Sequence, residues 1–351
     1  MKQFPVLQLL AFLLLSHFAF AQDANKMTAH FINVGQADAT LLEFPCGAIL
    51  IDAGAQGAAQ EEHLVAYLKS FFERRTDLHK TLDLVIVTHA HIDHNLALDN
   101  VAKAFTIKRY IDNGLKVGSG KKNQNWLRDN AKKMGITYST YSYEQISAGG
   151  NTEGVTDTII DPLHCDEVDP EIVLLSGRFT RKPAEWSATD YENGNNHSVV
   201  IKVNFGESSF LFTGDLEKDG IEKLLSTYDA SLLDVDVLRV GHHGAANATT
   251  NNYLAAVTPG YAVISCGKWN YGKTGGQFNT YSYGHPRVST LKQLAESIEE
   301  KRSTPRSVKA GIAAKQFINY TVRKRVYATP WDKTVQIATD DEGNYTVGIN
   351  H

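Results

Sequence analysis

Cysteine is scarce in this chain: Cys46, Cys165 and Cys266 are the only three among 351 residues. So few, in an odd number, exclude a disulfide framework and leave room for one bridge at most. No CxxC pair occurs either, which excludes a zinc ribbon, so any metal must be held by histidine and carboxylate. Basic charge is not in excess: 35 Lys and Arg stand against 39 Asp and Glu, for a net charge of −4. That balance gives no global field of the kind that holds nucleic acid by counterion release, and any contact with a polyanion has to be local. Internal repeats, low-complexity tracts and proline-rich linkers are missing too, so one large domain is expected over residues 22–351. With 42% hydrophobic residues the chain can bury a sizeable core.

Long apolar runs are confined to the start. Lys2 precedes an apolar run from about Val6 to Leu15, and Ala19-Phe20-Ala21 offers small residues for cleavage. This pattern reads as a secretory signal peptide over residues 1–21, since Ser16 and His17 stop the run short of the ~18 apolar residues that a membrane anchor needs. The expected mature protein is secreted or periplasmic, with no stable insertion in a membrane.

Beyond residue 21 strands and helices alternate. "TAHFINVG", "DATLLEF" and "GAILIDAG" read as strands, and a helix is expected from about Ala59 to Arg75, where Leu64, Val65, Leu68, Phe71 and Phe72 recur near helical spacing. "LDLVIVTHAH" is a buried strand running into histidines. Further helices are expected in "NLALDNVAKAF", "NQNWLRDNAKKMG" and "RVSTLKQLAESIEEKR", with strands in "IKRYID", "ITYSTYS", "HSVVIKVNFG", "SSFLFTGD", "VDVLRVGHHG", "YAVISCG", "KRVYAT", "KTVQIAT" and "NYTVGIN". Between about residues 149 and 196 the period weakens, which predicts a surface excursion able to line a site. Mixed strands with interleaved helices fit an α/β architecture of two β layers covered by helices. Asp52, His89, Asp215 and His242 all come after apolar runs, as a site at one sheet edge requires.

The densest chemistry lies in "THAHIDHN", residues 88–95. His89 and His91 are two apart, so on extended backbone both rings can face one side, while Asp93 and His94 on the next turn can face a second point a few ångströms away. One such loop can feed two zinc ions. The spacing is not the i, i+4 pair of a helical HExxH protease site. Asp93 could instead cap a helix starting near Asn95, but four ligand-type residues at a strand end exceed what capping needs. Downstream, Asp215 in "FLFTGDLE" could bridge two cations, and His242 and His243 in "VLRVGHHG" could close the second site or move a proton. Spacing does not say which of the two histidines does which.

HxHxDH, the later "TGD" and the still later "HHG" together resemble the metallo-β-lactamase superfamily. More narrowly, "HFINVGQADATLLEFPCGAILIDAG", "NNHSVVIKVNFGESSFLFTGDLE", "VDVLRVGHHG" and "YGHP" resemble the extracellular hydrolase domain of the competence protein ComEC and its free-standing secreted relatives, over roughly residues 28–286. The resemblance implies an αβ/βα four-layer sandwich holding two divalent metal ions, Zn2+ first, with Mn2+ or Fe as alternatives. It implies His89 and His91 as ligands of the first metal, Asp93 and His94 of the second, Asp215 as the bridge, and His243 or His242 closing the second site. Asp52 would orient a ligand histidine. The superfamily usually supplies one more histidine to the first metal. Here the corresponding stretch is "GNNHSVV", where either His197 or Asn195 could stand in that place, and without a histidine there the first site would be weaker. Residues 303–319 depart from the family and would form a lid, a partner surface or a connection.

The expected activity is hydrolysis by a dinuclear-metal-activated hydroxide, with Asp93, His242 and His243 as the catalytic candidates. The resemblance favours phosphodiesters, either small molecules or a polyanion such as nucleic acid. In that case the basic stretch "IKRYIDNGLKVGSGKKNQNWLRDNAKK" could track a backbone, with Tyr110 and Trp126 stacking bases, although such a charge pattern is more often just the wet face of a helix. A lactam, lactone or other acyl hydrolase is the first alternative. A non-catalytic, metal-stabilised binding module is the second.

Overall fold

The computed structural model describes residues 24–270 and 279–349; the expected signal peptide lies outside them. Among the described residues two large sheets face one another. The first runs, in spatial order, Tyr345–Ile349, Val335–Asp340, Lys26–Phe31, Thr40–Glu43, Ala48–Ile51, Leu84–Val87, Arg109–Asp112 and Thr137–Thr140. The second runs Val326–Ala328, Tyr261–Ile264, Val237–Arg239, Ser208–Phe212, Val200–Phe205 and Glu171–Ser176. The inner strands read as unbroken apolar runs because both faces are covered: all four residues of Leu84–Val87 are buried.

One core fills the space between the sheets, where Phe31, Leu42 and Ile86 meet Ile201, Phe210 and Val263. On the outer face of the first sheet, the helix Ala58–Arg74 lays Leu64, Leu68, Phe71 and Phe72 over Leu50 and Val85. On the outer face of the second, the helices Lys218–Thr227, Asn251–Val257 and Val288–Ser297 bring Ile221, Leu254, Leu291 and Leu294 against Leu211, Leu238 and Ala262. The result is the four-layer helix–sheet–sheet–helix sandwich.

Register places the chemistry. Ile51 pairs in parallel with Ile86, and Val87 with Asp112, so the segments leaving these strands emerge on one edge. In the second sheet Phe212 pairs in parallel with Arg239, and Arg239 with Val263. Asp52, His89, Asp215 and His242 each lie one to three residues beyond such a strand. The carboxyl ends of parallel strands are where open α/β sheets gather ligands.

Several sequence expectations need adjustment. The helix expected to reach residue 302 stops at Ser297, because Ile298 turns extended (φ −84, ψ 122) and a strand begins at Lys301. The 149–196 excursion contains the edge strand Glu171–Ser176, which shows no alternation because its last five residues are all buried. The 303–319 stretch is not a loose connection but part of a hairpin, Lys301–Ala313 with Gln316–Lys324. Tyr110 cannot stack a base: it is wholly buried, and its hydroxyl donates to Asp112 at 2.6 Å. Nearby, Arg128 is spent on the same carboxylate through two 2.8 Å contacts. The one bridge that the cysteine count allowed joins Cys46 to Cys165 across 119 residues, pinning the excursion to the first sheet, while Cys266 stays buried and free. No described helix is long and apolar enough to cross a membrane.

Candidate metal centre

The ligand loop is shaped by its neighbours as much as by its own sequence. Beyond strand Leu84–Val87 the chain turns through a short helical turn, Ile92–His94. The Ala53 N–H donates to His94 O at 2.9 Å and the Asp38 N–H to Asp93 O at 3.0 Å, so the loop backbone is clamped against both the turn after Ile51 and the segment after Phe31. Gly54 lies so close that a Cβ there would fall 1.7 Å from Asp93 O. Only glycine lets the two segments touch.

Proton positions are set by fixed partners. His94 Nδ1 lies 2.7 Å from Asp52 Oδ2, and a carboxylate can only accept, so Nδ1 carries the hydrogen and, in the neutral ring, Nε2 presents a lone pair. His243 Nδ1–H donates to Ser265 O at 2.8 Å, which leaves the neutral ring's Nε2 bare as well. The Thr88 hydroxyl donates to Asp52 Oδ2 at 2.9 Å and therefore accepts from His89 Nδ1–H at 3.1 Å, baring His89 Nε2. In His94 and His243 the second ring nitrogen faces carboxylates. His243 Nε2 lies 3.2 Å from Asp93 Oδ2 and 3.4 Å from Asp215 Oδ2. His94 Nε2 and Asp215 Oδ1 are 3.2 Å apart, both buried, and neither makes a hydrogen bond. Ring nitrogens and carboxylates turned on a common point call for positive charge among them, carried by imidazolium protons or by a metal ion that replaces them. One ligand atom from each of Asp93, His94, Asp215 and His243 falls within 4.8 Å of the others, and N/O donors in this number suit a divalent ion. Beside them His89 Nε2 and His91 Nδ1 lie 3.1 Å apart, within hydrogen-bonding distance of one another.

Electrostatics divide the histidines: without a competing ion the carboxylates favour a proton on His94 and His243, which a metal would have to displace. Burial opposes the His94 imidazolium, but Asp215 and Asp52 outweigh it and hold its pKa well above the ordinary value. His243 is raised in the same way, burial being overcome by Asp215 and Asp93. Burial alone would raise Asp215, yet His94, His243 and His242 keep it well below the carboxylate range. His89 and His91 go the other way: burial lowers both, which favours the neutral ring that a metal needs.

The two histidines of "HHG" separate cleanly. His242, His243 and Gly244 all take left-handed backbone (φ 46, 54 and 78), and the rings part. The His243 side chain is 2% exposed, inside the cluster; that of His242 is 22% exposed at the cavity rim, with Nε2 3.9 Å from Asp215 Oδ2. His242 Nδ1 faces Asn247 Oδ1 at 3.2 Å and Glu217 Oε1 at 3.4 Å.

His197 is not brought to the cluster. The Phe179 N–H donates to its Nδ1 at 3.1 Å and its Nε2–H donates to Tyr191 O at 2.7 Å, so neither ring nitrogen is left for a metal. Asn195 stands there instead: it lines the cavity, its Nδ2 donates to Glu217 Oε1 at 2.7 Å, and its Oδ1 is buried without a partner. Sequence reasoning also missed His285 as a cavity residue, although "YGHP" was the signal for it. Gln36 donates to His285 Nδ1 at 3.1 Å, so the proton sits on Nε2 of a ring lining the cavity. Missed altogether was Arg239, fully buried behind the cluster, 2.8 Å from Asp38 Oδ2 and 3.5 Å from Asp215 Oδ1. Its charge answers Asp38, so the grouping of Asp38, Asp52 and His94 needs no ion of its own. The cavity over the cluster holds about 280 Å3, and Ser119, Tyr283 and Gln36 complete its polar wall.

Residues 32–268 match the metallo-beta-lactamase superfamily. ComE operon protein 3 of Bacillus subtilis is 26% identical over 275 residues, which cover 75% of this chain and 30% of that protein. Recombination protein 2 of Haemophilus influenzae is 28% identical over 242 residues, covering 68% of this chain and 24% of that protein. The chain thus spans less than a third of the length of either relative. The solved metallo-beta-lactamase fold protein YhfI from Bacillus subtilis aligns with 92% of this chain and 100% of its own, at 10% identity and a TM-score of 0.44. The family match spans every residue of the cluster from His89 to His243, and the chain belongs to the metallo-beta-lactamase superfamily.

Proposed function

We infer that the protein is an exported, metal-dependent hydrolase of phosphodiesters. Asp93, His94, Asp215 and His243 would hold one divalent ion, and His89 and His91, with the Asn195 carbonyl oxygen beside them, a second; zinc suits the donors, with manganese or iron as alternatives. Such ions, when bound, lower the pKa of water toward neutrality and offset charge on a phosphoryl oxygen. The remaining work falls to the chain. His285 Nε2–H and the Asn195 and Ser119 side chains line the wall on which an anionic oxygen would rest. His242 is the candidate proton donor to a departing alkoxide, because its Nδ1 is oriented by Asn247 and Glu217 while Nε2 stays on the cluster side.

The observation that carries this reading is the pairing of a buried ligand imidazole, His243, with a rim imidazole, His242, that the cluster does not consume. A binding module has no use for the second. The phosphodiester branch is supported further by a relative named for recombination. Export is supported by the Cys46–Cys165 bridge, which belongs to an oxidising compartment.

The test is a panel on zinc- or manganese-loaded protein: a bis-aryl phosphodiester, a single-stranded oligonucleotide and nitrocefin. Turnover of the diesters, lost on chelation and restored by metal, is expected. Hydrolysis of nitrocefin with both diesters left intact would overturn the substrate class, and inactivity on every substrate at full metal loading would favour the binding module.

A further inference from the structure

Beyond the metal cavity the surface changes sign. His285 borders not only that cavity but a second hollow of about 290 Å3, walled by Lys268, Trp269, Lys309 and Trp331. Lys268 and Trp331 in turn border a third, of about 530 Å3, which adds Tyr67 and Lys333. Among the described residues neither of these walls carries an Asp or a Glu. Lys103, Lys108, Lys218 and Lys223 are held in ion pairs, whereas among the described residues none joins Lys268, Lys309 or Lys333 to a carboxylate. In a chain of net charge −4, three lysines without carboxylate partners along adjoining hollows form a local basic strip.

Flat rings accompany the charge. Lys309 Nζ sits 5.7 Å over the Trp269 ring, Trp269 lies 5.8 Å from Phe317, and Tyr281 stacks on Phe317 at 6.2 Å. The hairpin that supplies Lys309 and Phe317 is fixed to the cavity wall. The Gly311 N–H donates to Pro286 O at 2.8 Å and the Lys315 N–H to Tyr281 O at 2.9 Å, on either side of His285. The hairpin therefore extends the metal cavity as a ledge.

We propose that this ledge is a binding track for single-stranded nucleic acid, entered from the metal cavity at His285. Lysines without carboxylate partners answer backbone phosphates, and indole and phenol faces answer unpaired bases, which a duplex would keep stacked inside. An acidic peptide would use the charge and leave the rings idle. The direction of the strand, with its scissile phosphate at the cluster, rests on the phosphodiesterase reading; the binding does not, and can be measured without turnover.

The experiment is fluorescence anisotropy of a short, labelled phosphorothioate oligothymidine on the metal-loaded protein over a range of salt. Replacing Lys268, Lys309 and Lys333 together by Gln should weaken binding at least tenfold and lower the slope of log affinity against log salt by about 2, at ~0.7 per phosphate contact on a single strand. Trp269→Ala should weaken binding about tenfold with the slope unchanged, as loss of a stacked base predicts. Turnover of a small bis-aryl diester should be the same in all variants. Unchanged affinity in the triple lysine variant, or displacement of the oligonucleotide by polyglutamate as readily as by unlabelled strand, would overturn the track. Failure of wild-type protein to cut the small diester would overturn the phosphodiesterase reading alone, because the anisotropy result stands apart from it.

Discussion

On consecutive left-handed residues, His242 and His243 meet different surroundings: one keeps a face in the cavity, the other gives Nδ1–H to Ser265 O and turns Nε2 on two carboxylates. His243→Ala should therefore lower bound metal to one equivalent or fewer, whereas His242→Ala should keep both equivalents and lose about 10²–10⁴-fold in kcat, the span of a general acid. Metal analysis beside steady-state kinetics checks both, and metal loss in His242→Ala would reverse the assignment. Asp52 orients His94 from behind, so Asp52→Asn should weaken metal affinity about 10–100-fold, read by competition with a chelator. The sequence made HxHxDH legible because its ligands are neighbours on one loop. Asn195, His285 and Arg239 were harder to read, since each stands alone in its segment and is placed only when the sheets close. His197 misled for another reason: spacing fixes where a residue lies along the chain, but two backbone groups, at Phe179 and Tyr191, decide what its ring can bind.

Strand ends bring loops together, and close backbone contacts hold them there. At Gly54 a Cβ would stand 1.7 Å from Asp93 O, a main-chain atom that cannot swing aside. Gly54→Ala should push the Asp93–His94 turn away from Asp215 and cost most of the metal affinity, and metal titration by calorimetry would register the loss. Gly311 meets the same limit at the hairpin, where a Cβ would come 2.0 Å from Gly284 O. Gly311→Ala should destabilise the protein by about 1–3 kcal/mol, the range for overpacking, and unchanged thermal unfolding would show that the hairpin is not seated on the Tyr281–Arg287 turn. Helices and inner strands were readable from period and apolar runs. The hairpin was not, because its faces mix buried Val308 and Ala310 with exposed Ile312 and Ile318 and so show neither a strand's alternation nor a loop's polarity.

At the scale of the whole molecule, one buried carboxylate ties separate layers together. Glu43, at the end of the strand Thr40–Glu43, accepts from Arg74 at 2.7 and 2.6 Å and from Arg75 at 3.0 Å, and lies 3.1 Å from His30 Nε2. Arg75 also donates to Phe44 O and Pro45 O, next to the cysteine that binds the middle excursion, so helix layer, first sheet and disulfide meet at one corner. Burial pushes the Glu43 carboxyl up, but His30 and Arg74 outweigh it and bring its pKa down to about 2 from 4.5. An acid whose folded pKa lies below its unfolded one stabilises the fold above the unfolded value, and that stability is lost as pH falls through the window down to the folded value. A shift of this size corresponds to about 3 kcal/mol at neutral pH, at 1.36 kcal/mol per unit. Glu43→Gln should therefore be less stable than wild type by about that amount at pH 7, and the gap should narrow between pH 4.5 and pH 2. Denaturant unfolding of both proteins across this range measures the gap directly, and losses common to both, including those of the metal centre, cancel in the difference. A gap that stayed constant with pH would mean that Glu43 holds the corner by shape alone, and that the ionic contacts among Glu43, Arg74 and Arg75 contribute nothing to joining the layers.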